Sequence, residues 1–185
     1  HDVTDHVKEI AARSGIKNGI VVVYSHHTTC SVITQECAFD MMLYHIEWSG
    51  NIDVAEKYFE EFCMMLDWEE RIFDPDGDGL YQNFLNTWIS DGHSYNGAGC
   101  AQASAYNYRA NMVMAKIAEK LGKANDVFIK RAEKIKKAMN EKLWLANSGV
   151  IAESIDTMGN CQVHPSPELS TIYLAIDCDA VNEFQ

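Results

Sequence analysis

The sequence lacks clustered positive charge and long apolar runs, and both absences restrict its partners. It has 15 Lys and Arg residues against 27 Asp and Glu residues, which gives a formal net charge of −12. Binding to nucleic acid or to an anionic membrane surface requires clustered Lys and Arg, so we expect neither partner. No apolar run approaches the roughly 18 residues of a membrane-spanning helix.

Paired cysteine motifs are also lacking. None of the six cysteines forms a C-x-x-C pair, and their spacing fits no zinc site. Several lie among apolar residues, as Cys63 does in the segment EEFCMML. We therefore expect buried thiols in a reducing compartment, which predicts a cytoplasmic protein.

What the sequence does contain falls into two segments of different pattern. Residues 1–37 predict a short α-β-β segment, with a helix in DVTDHVKEIAARSG and strands in GIVVVYS and TTCSVITQ. Residues 38–185 predict a mainly α fold of paired helices with almost no sheet. No Gly-, Ser- or Pro-rich linker separates the two segments, which is unusual for two independent domains.

Helical periodicity recurs through the second segment. It is present in AFDMMLYHIEWSG, DVAEKYFEEFCMMLDWEERIFD, QASAYNYRANMVMAKIAEKLG, NDVFIKRAEKIKKAMNEKLW and HPSPELSTIYLAIDC, while GVIAESID predicts a short strand. In the first helix we expect His45 and Trp48 in the core. In the second helix the face expected in the core contains Val54, Tyr58, Phe62, Leu66 and Trp68, and the residues expected in water are Glu56, Glu60, Glu61 and Glu69.

The segment DPDGDG places three aspartates at alternate positions. Asp74, Asp76, Asp78 and Gly79 match positions one, three, five and six of an EF-hand loop, but Leu85 stands where the bidentate glutamate is needed. A looser calcium site built from these carboxylates and backbone carbonyls stays open as an alternative. The favoured interpretation is a tight Asp/Gly turn whose side chains cap the next segment, so that no cofactor is required.

Asp91 is the candidate for catalysis. It lies in NTWISDGHSYNG, among aromatic rings, amides and glycines that allow a ligand to approach the backbone. Aromatic rings stack on the apolar faces of sugars, and amides bind their hydroxyl groups. A carboxylic acid desolvated beside a Trp ring can act as a general acid on a glycosidic oxygen, although a solvated Asp that caps a helix has the same pattern. The residues expected to bind the sugar with it are Trp88, His93, Tyr95, Asn96 and Gln102.

Two further histidine segments are candidates. His164 and Glu168 are expected to line the same cleft as Asp91, or else His164 is only a histidine at the start of a helix. His26 and His27 are adjacent on a predicted strand, so their side chains point to opposite faces and do not easily bind one metal ion.

The first segment resembles a known family. Residues 2–36, with VTDHVKEIAARSGIKNGIVVVYSHHTTCSVITQE, are similar to the N-terminal part of the YjbQ-type family of secondary thiamine-phosphate synthases. The resemblance implies a β-rich, trimeric fold with a metal-type site, and a role for His27, Thr28, Thr29 and Glu36. The later histidine motif of that family is absent from this sequence, so the site is expected to be incomplete.

The second segment resembles part of the six-hairpin (α/α)6 toroid proteins, especially bacterial relatives of glycogen-debranching amyloglucosidases and trehalase-like glycosidases. The resemblance rests on AFDMMLYHIEWSGNIDVAEKYF, on DPDGDGLYQNFLNTWISDGHSYNGAGCAQASAYNYRANMVMAKIAEKLG and on GVIAESIDTMGNCQVHPSPELSTIYLAID. It implies that Asp91 is the general acid of an inverting glycosidase, whose second carboxylate activates water. That carboxylate is expected beyond Gln185, because Glu153 is a poor substitute.

The resemblances together predict a fused or composite chain that carries a partial toroid. A complete toroid has twelve helices, of which five or six are expected here, so open apolar faces could drive oligomerisation. The leading hypothesis is a carbohydrate-active domain that binds an oligosaccharide or polysaccharide, with glycoside hydrolase-like chemistry. The alternatives are a carbohydrate-binding toroid fragment without catalysis and a YjbQ-type thiamine-phosphate synthase-like protein.

Overall fold

A computed structural model describes residues 4–15, 36–82, 85–86, 93–94, 99–156, 162–164 and 169–182. The chain divides into two compact units, residues 1–35 and 36–185. In the first unit, helix α1 spans Thr4–Arg13, as the sequence predicts, and ends before Gly15, which has a φ of +69°. The two strands expected between residues 19 and 35 lie outside the described residues.

The second unit is mainly helical, which confirms the predicted fold class. Its helices are α2 (Glu36–Ser49), α3 (Asp53–Phe73), α4 (Ala101–Lys120), α5 (Asp126–Ala138) and α6 (Leu169–Asp177). A π-helical turn, Met139–Leu143, continues α5. Helices α2 and α3 form one hairpin and α4 and α5 form a second, and α4 packs against α2, α3, α5 and α6.

The turn between α4 and α5 shows why the second hairpin closes where it does. Gly122 takes a φ of +66°, which a residue with a side chain adopts only at a cost. The N–H of Lys123 then donates to the carbonyl of Ala118 at 2.8 Å, which satisfies a carbonyl at the end of α4. The helix stops at the glycine that the sequence predicts as its terminator.

Two apolar clusters hold the helices together. One lies among α2, α3, α4 and α5 and includes Phe39, Phe59, Leu66, Met114 and Phe128. The other lies among α4, α5, α6 and the short strands and includes Leu80, Tyr81, Ile135, Met139 and Leu143. Because α4 contributes to both clusters, it is the central helix of the unit.

The buried face of α3 differs from the predicted one. Its buried residues are Ala55, Phe59, Leu66 and Glu69, whereas Val54 and Tyr58 are exposed. The helix carries aromatic residues on two neighbouring faces, and packing of Phe59 edge-to-face on Phe128, with ring centroids 6.2 Å apart, selects the second face. The prediction that Glu69 faces water was therefore wrong.

Helix α2 contains a second correction. Its core side chains include Phe39, Leu43 and Ile46, but Trp48 is 89% exposed and His45 is exposed. These two residues lie on the opposite side of the helix from Leu43 and Ile46, so the core prediction for them was wrong. Met41 and Ile176 are further exposed apolar residues. Whether such faces drive oligomerisation stays a prediction.

Short antiparallel strands connect the helices. A hairpin pairs β1 (Leu85–Asn86) with β2 (His93–Ser94), and a second hairpin pairs β4 (Trp144–Leu145) with β5 (Val150–Ile151). A three-stranded sheet has the order β3-β6-β7, formed by Gly99–Cys100, Ser154–Ile155 and Val163–His164. The strand expected in GVIAESID is thus split into β5 and β6.

Within the part of the chain that the structure describes, no helix is both long enough and apolar enough to cross a membrane.

Candidate functional site

The three-stranded sheet meets the N-terminus of α4. Within the sheet, Gly99 pairs with Ile155 and Cys100 pairs with Ser154. Gly99 also forms an antiparallel bridge with Gln82 on its other side. The N–H of Ala101, the first residue of α4, donates to the carbonyl of Glu153 at 2.9 Å. We call this region, residues 82, 99–102, 153–155 and 163–164, the α4 entrance.

The α4 entrance buries several polar side chains. Gln82, Gln102, Glu153 and Ser154 are all buried. The side-chain nitrogen Nε2 of Gln82 has no hydrogen-bond partner in the described part of the chain. Burial of a polar group costs free energy unless a hydrogen bond replaces its hydration, so these side chains are candidates for a role beyond stability.

A carboxylate and an imidazole meet at the α4 entrance. The ring nitrogen Nδ1 of His164 lies 3.1 Å from Oε2 of Glu153, and the side chains are 57% and 4% exposed, respectively. Glu153 lies in the bend before β6, and His164 is on β7, directly opposite Ser154. Strand β7 is at the edge of its sheet, which leaves the imidazole accessible.

In sequence, the segment that carries Asp91 lies between two residues of the α4 entrance, Gln82 and Gly99. These two residues are bridged to each other. Between them in sequence, Leu85 pairs with Ser94 and Asn86 pairs with His93 in the β1-β2 hairpin. That Asp91 acts at the α4 entrance stays a prediction, because Asp91 is outside the described residues.

Several predicted site residues lie outside the described residues: Trp88, Asp91, Tyr95, Asn96 and Glu168, and, in the first unit, His27, Thr28 and Thr29. His93 is on β2, and Glu36 is the first residue of α2. Gln102 and His164 are both at the α4 entrance. The structure thus places two of the predicted sugar-binding residues in one region, while the roles of all these residues stay predictions.

The three aspartates after α3 form a compact turn. Both carboxylate oxygens of Asp74 accept from the N–H of Gly79 at 3.2 Å, and Oδ1 of Asp78 accepts from the N–H of Leu80 at 2.8 Å. At Gly79, where φ is +88°, a Cβ atom would approach the Cβ of Ala138 to 3.0 Å. The turn therefore needs glycine at this position because it packs closely against α5.

Two lysines form ion pairs with carboxylates that a calcium ion would need as ligands. Lys134 Nζ lies 2.8 Å from Oδ2 of Asp74, and Lys142 Nζ lies 2.7 Å from Oδ2 of Asp78. One ligand atom from each of Asp74, Asp76 and Asp78 lies within 4.8 Å of the others, so the spacing suits a cation. A calcium ion, however, would compete with two ammonium groups that already balance the charge.

Burial changes the pKa of the Asp74 carboxyl group. Desolvation raises the pKa of Asp74 above its ordinary value, and the hydrogen bond and charge of Lys134 partly oppose that rise. The bonds to Lys134 and Gly79 indicate that this carboxylate supports the turn, as expected for an Asp/Gly turn with capping side chains.

Comparison with known families agrees with this architecture. The family model described as bacterial alpha-L-rhamnosidase 6 hairpin glycosidase domain matches residues 37–166. A mainly helical unit built from hairpins, with that match over most of its length, is a six-hairpin glycosidase-type domain. The chain belongs to the bacterial α-L-rhamnosidase six-hairpin glycosidase family.

A second family model, described as UPF0047 protein YjbQ-like, matches residues 1–49. The two matches overlap at residues 37–49, and both predicted resemblances are confirmed. No curated protein and no solved structure shows a significant match to the chain. The chain therefore combines a short YjbQ-like segment with a longer glycosidase-type segment.

From the sequence, Glu153 is expected only to be a poor substitute for the catalytic base, and Gln82 is not identified as a site residue. Glu153 lies between Ala152 and Ser154 in a short apolar stretch, and a carboxylate inside such a stretch is a signal of a buried functional group. Gln82 lies seventeen residues before Gly99, and no pattern in the sequence links the two.

Proposed function

We propose that the chain contributes a glycoside hydrolase site at the α4 entrance, with Asp91 as the general acid. The observation that supports this proposal is the match to the six-hairpin glycosidase domain. It is joined by the contact of the buried Glu153 with the exposed His164 at the α4 entrance, whose residues Gln82 and Gly99 flank the Asp91 segment in sequence. α-L-Rhamnosides are the substrates to test first, because the family description names that activity.

The residue types at the α4 entrance suit a sugar. Sugar hydroxyl groups need donors and acceptors, which Gln82, Gln102 and His164 supply. The Asp91 segment adds the rings of Trp88 and Tyr95, which suit the apolar face of a pyranose.

Asp91 would donate its proton to the glycosidic oxygen as the bond to the anomeric carbon breaks. In an inverting reaction, a second carboxylate about 6.5–9.5 Å from the first removes a proton from the attacking water. Glu153 does not suit that second role, because its carboxylate is buried and contacts His164. The base would therefore come from another carboxylate.

The test is hydrolysis of a panel of aryl glycosides, led by an aryl α-L-rhamnoside. Asp91→Asn should lower kcat by about 10²–10⁴-fold, the usual contribution of general acid–base catalysis. Asp53→Asn, at an exposed position in the first turn of α3, is the matched control and should retain wild-type turnover. Equal turnover by wild type and Asp91→Asn would remove Asp91 from the mechanism.

A second candidate is carbohydrate binding without catalysis. The burial of Glu153 favours it, because no carboxylate among the described residues of the α4 entrance is free to activate water. This alternative predicts measurable affinity for a sugar, no turnover of any glycoside in the panel, and no change in that affinity in Asp91→Asn.

A further inference from the structure

The contact between Glu153 and His164 extends the proposed function, on which this inference rests. We propose that Glu153 is a positioning residue that holds His164 so that its ring nitrogen Nε2 accepts a hydrogen bond from a hydroxyl group of the bound sugar. His164 would then be a sugar-binding residue, and Glu153 would act only through it.

The geometry fixes which ring nitrogen carries the hydrogen. An ionised carboxylate only accepts hydrogen bonds, so Nδ1 of His164, at 3.1 Å from Oε2 of Glu153, is the donor. In the neutral ring the other nitrogen, Nε2, then has a lone pair and no hydrogen. The carboxylate therefore selects one tautomer and leaves an acceptor for a ligand.

The two side chains of the pair differ in exposure: the glutamate is in the interior and the histidine is at the surface. The glutamate side chain is 4% exposed and the histidine side chain is 57% exposed, so the pair links the interior to the surface. A polar contact with an exposed histidine adds little stability, whereas burying a carboxylate is costly. Stability alone is a weak reason for this arrangement, and orientation of the imidazole is a stronger one.

The position of the pair connects it to the proposed site. The backbone carbonyl of Glu153 accepts from the N–H of Ala101, which fixes the glutamate against the start of α4. His164 is on β7, in the same three-stranded sheet as Gly99 and Cys100 before the start of α4. A sugar bound at the α4 entrance would thus meet an imidazole whose orientation is already set.

The first measurement tests the orientation without any sugar. At a pH where the ring is neutral, the ¹⁵N chemical shifts of His164 should place its hydrogen on Nδ1, and Glu153→Gln should weaken this preference. A ring that carries its hydrogen on Nε2 in the wild type would overturn the proposal. His45, which is exposed on α2, serves as the reference histidine and should not respond to Glu153→Gln.

The second measurement tests the role in binding, with methyl α-L-rhamnopyranoside as the probe. Loss of one hydrogen bond should weaken probe affinity about tenfold in His164→Ala. Glu153→Gln should also weaken it, and the double variant should be no weaker than His164→Ala, because the glutamate acts through the histidine. In turnover the effect should fall on KM more than on kcat. His45→Ala should bind as the wild type does.

The outcomes separate this inference from the proposed function. If Asp91→Asn abolishes turnover while His164→Ala leaves probe affinity and KM unchanged, the inference is wrong and the proposed function stands. If the wild type neither binds the probe nor hydrolyses any glycoside of the panel, the proposed function fails and the hydroxyl contact fails with it. Because His164 is exposed, its alanine variant should fold even if Glu153→Gln does not.

Discussion

The helical hairpins bury mostly apolar side chains, whereas polar side chains are a larger share of those buried at the α4 entrance. The hairpins bury apolar groups such as Phe39, Phe59 and Leu66, whereas the α4 entrance buries Gln102 and Glu153. Apolar burial stabilises a fold directly, and polar burial does so only when every group is matched. The comparison indicates that the apolar contacts of the hairpins supply most of the stability. They offset the free-energy cost of burying polar groups at the α4 entrance.

The largest stability effect should come from the hairpin core. Leu66 on α3 is fully buried, so Leu66→Ala should lower the free energy of unfolding by about 2–5 kcal/mol through lost contacts and the cavity left behind. Met64→Ala, two residues away and exposed, should change it by less than about 0.5 kcal/mol. Urea denaturation measures both. Equal losses would contradict the division between the two faces of α3.

Alkaline pH should destabilise the fold through the other apolar cluster, which contains Cys178. Burial raises the pKa of the Cys178 thiol from 9.0 to about 12. The stabilising contribution is therefore complete below the ordinary thiol pKa and is lost as pH rises toward the folded-state value. The free energy of unfolding should fall by about 1.4 kcal/mol per pH unit in that window.

Denaturation at a series of pH values checks this prediction. Cys178→Ala should flatten the alkaline slope, because the residue that ionises on unfolding is gone. Cys63→Ala is the comparison: burial also raises the pKa of this thiol, but the thiol is only half-buried, so we expect less flattening. A slope that is the same in Cys178→Ala and in the wild type would show that another group controls alkaline unfolding.

A smaller effect is expected from the polar link within the hairpins. Nε of Arg109 on α4 donates to Asp40 on α2 at 2.7 Å, and Nη1 lies 3.2 Å from a carboxylate oxygen of Asp177 on α6. Arg109→Ala should cost about 1–3 kcal/mol, because the partly buried Asp40 loses a charged donor. Arg71→Ala, at an exposed position on α3, should cost less than about 0.5 kcal/mol by thermal or urea denaturation.

The smallest effect should come from calcium. Lys134 and Lys142 already balance Asp74 and Asp78, so added calcium or a chelator should shift Tm by less than about 1 °C. A large calcium-dependent rise in Tm, abolished in Asp76→Asn, would show instead that the cation displaces the lysines. Asp76 is the informative position because it is exposed and has no lysine partner among the ion pairs of the described region.

The sequence predicts the hairpins better than the α4 entrance, for physical reasons. Helices α2 to α5 are long enough for periodicity to show, and Gly122 marks the end of α4. The buried face of α3 was harder to predict, because the contact of Phe59 with Phe128, which is far along the chain, determines it. Two-residue strands carry too little alternation to be recognised.

Two residues of the α4 entrance were named from the sequence, but their contacts were not. Gln102 was a candidate because amides bind sugar hydroxyl groups, and His164 because it was expected to line the same cleft as Asp91. The contact between His164 and Glu153 depends on the pairing of β6 with β7, which no local pattern specifies. The lysines that neutralise the Asp turn lie about sixty residues from it in sequence, and side-chain contacts at such separation need the fold.

One measurement tests the central proposal, that the α4 entrance binds carbohydrate. Backbone ¹H–¹⁵N chemical shifts would be followed while methyl α-L-rhamnopyranoside is added to the protein. We expect the responding amides to be those of Gln82, Gly99–Gln102, Glu153–Ile155 and His164, with little change at Trp48 or along α3. Shifts confined to the helical hairpins, or no shifts at saturating sugar, would contradict the assignment of the site.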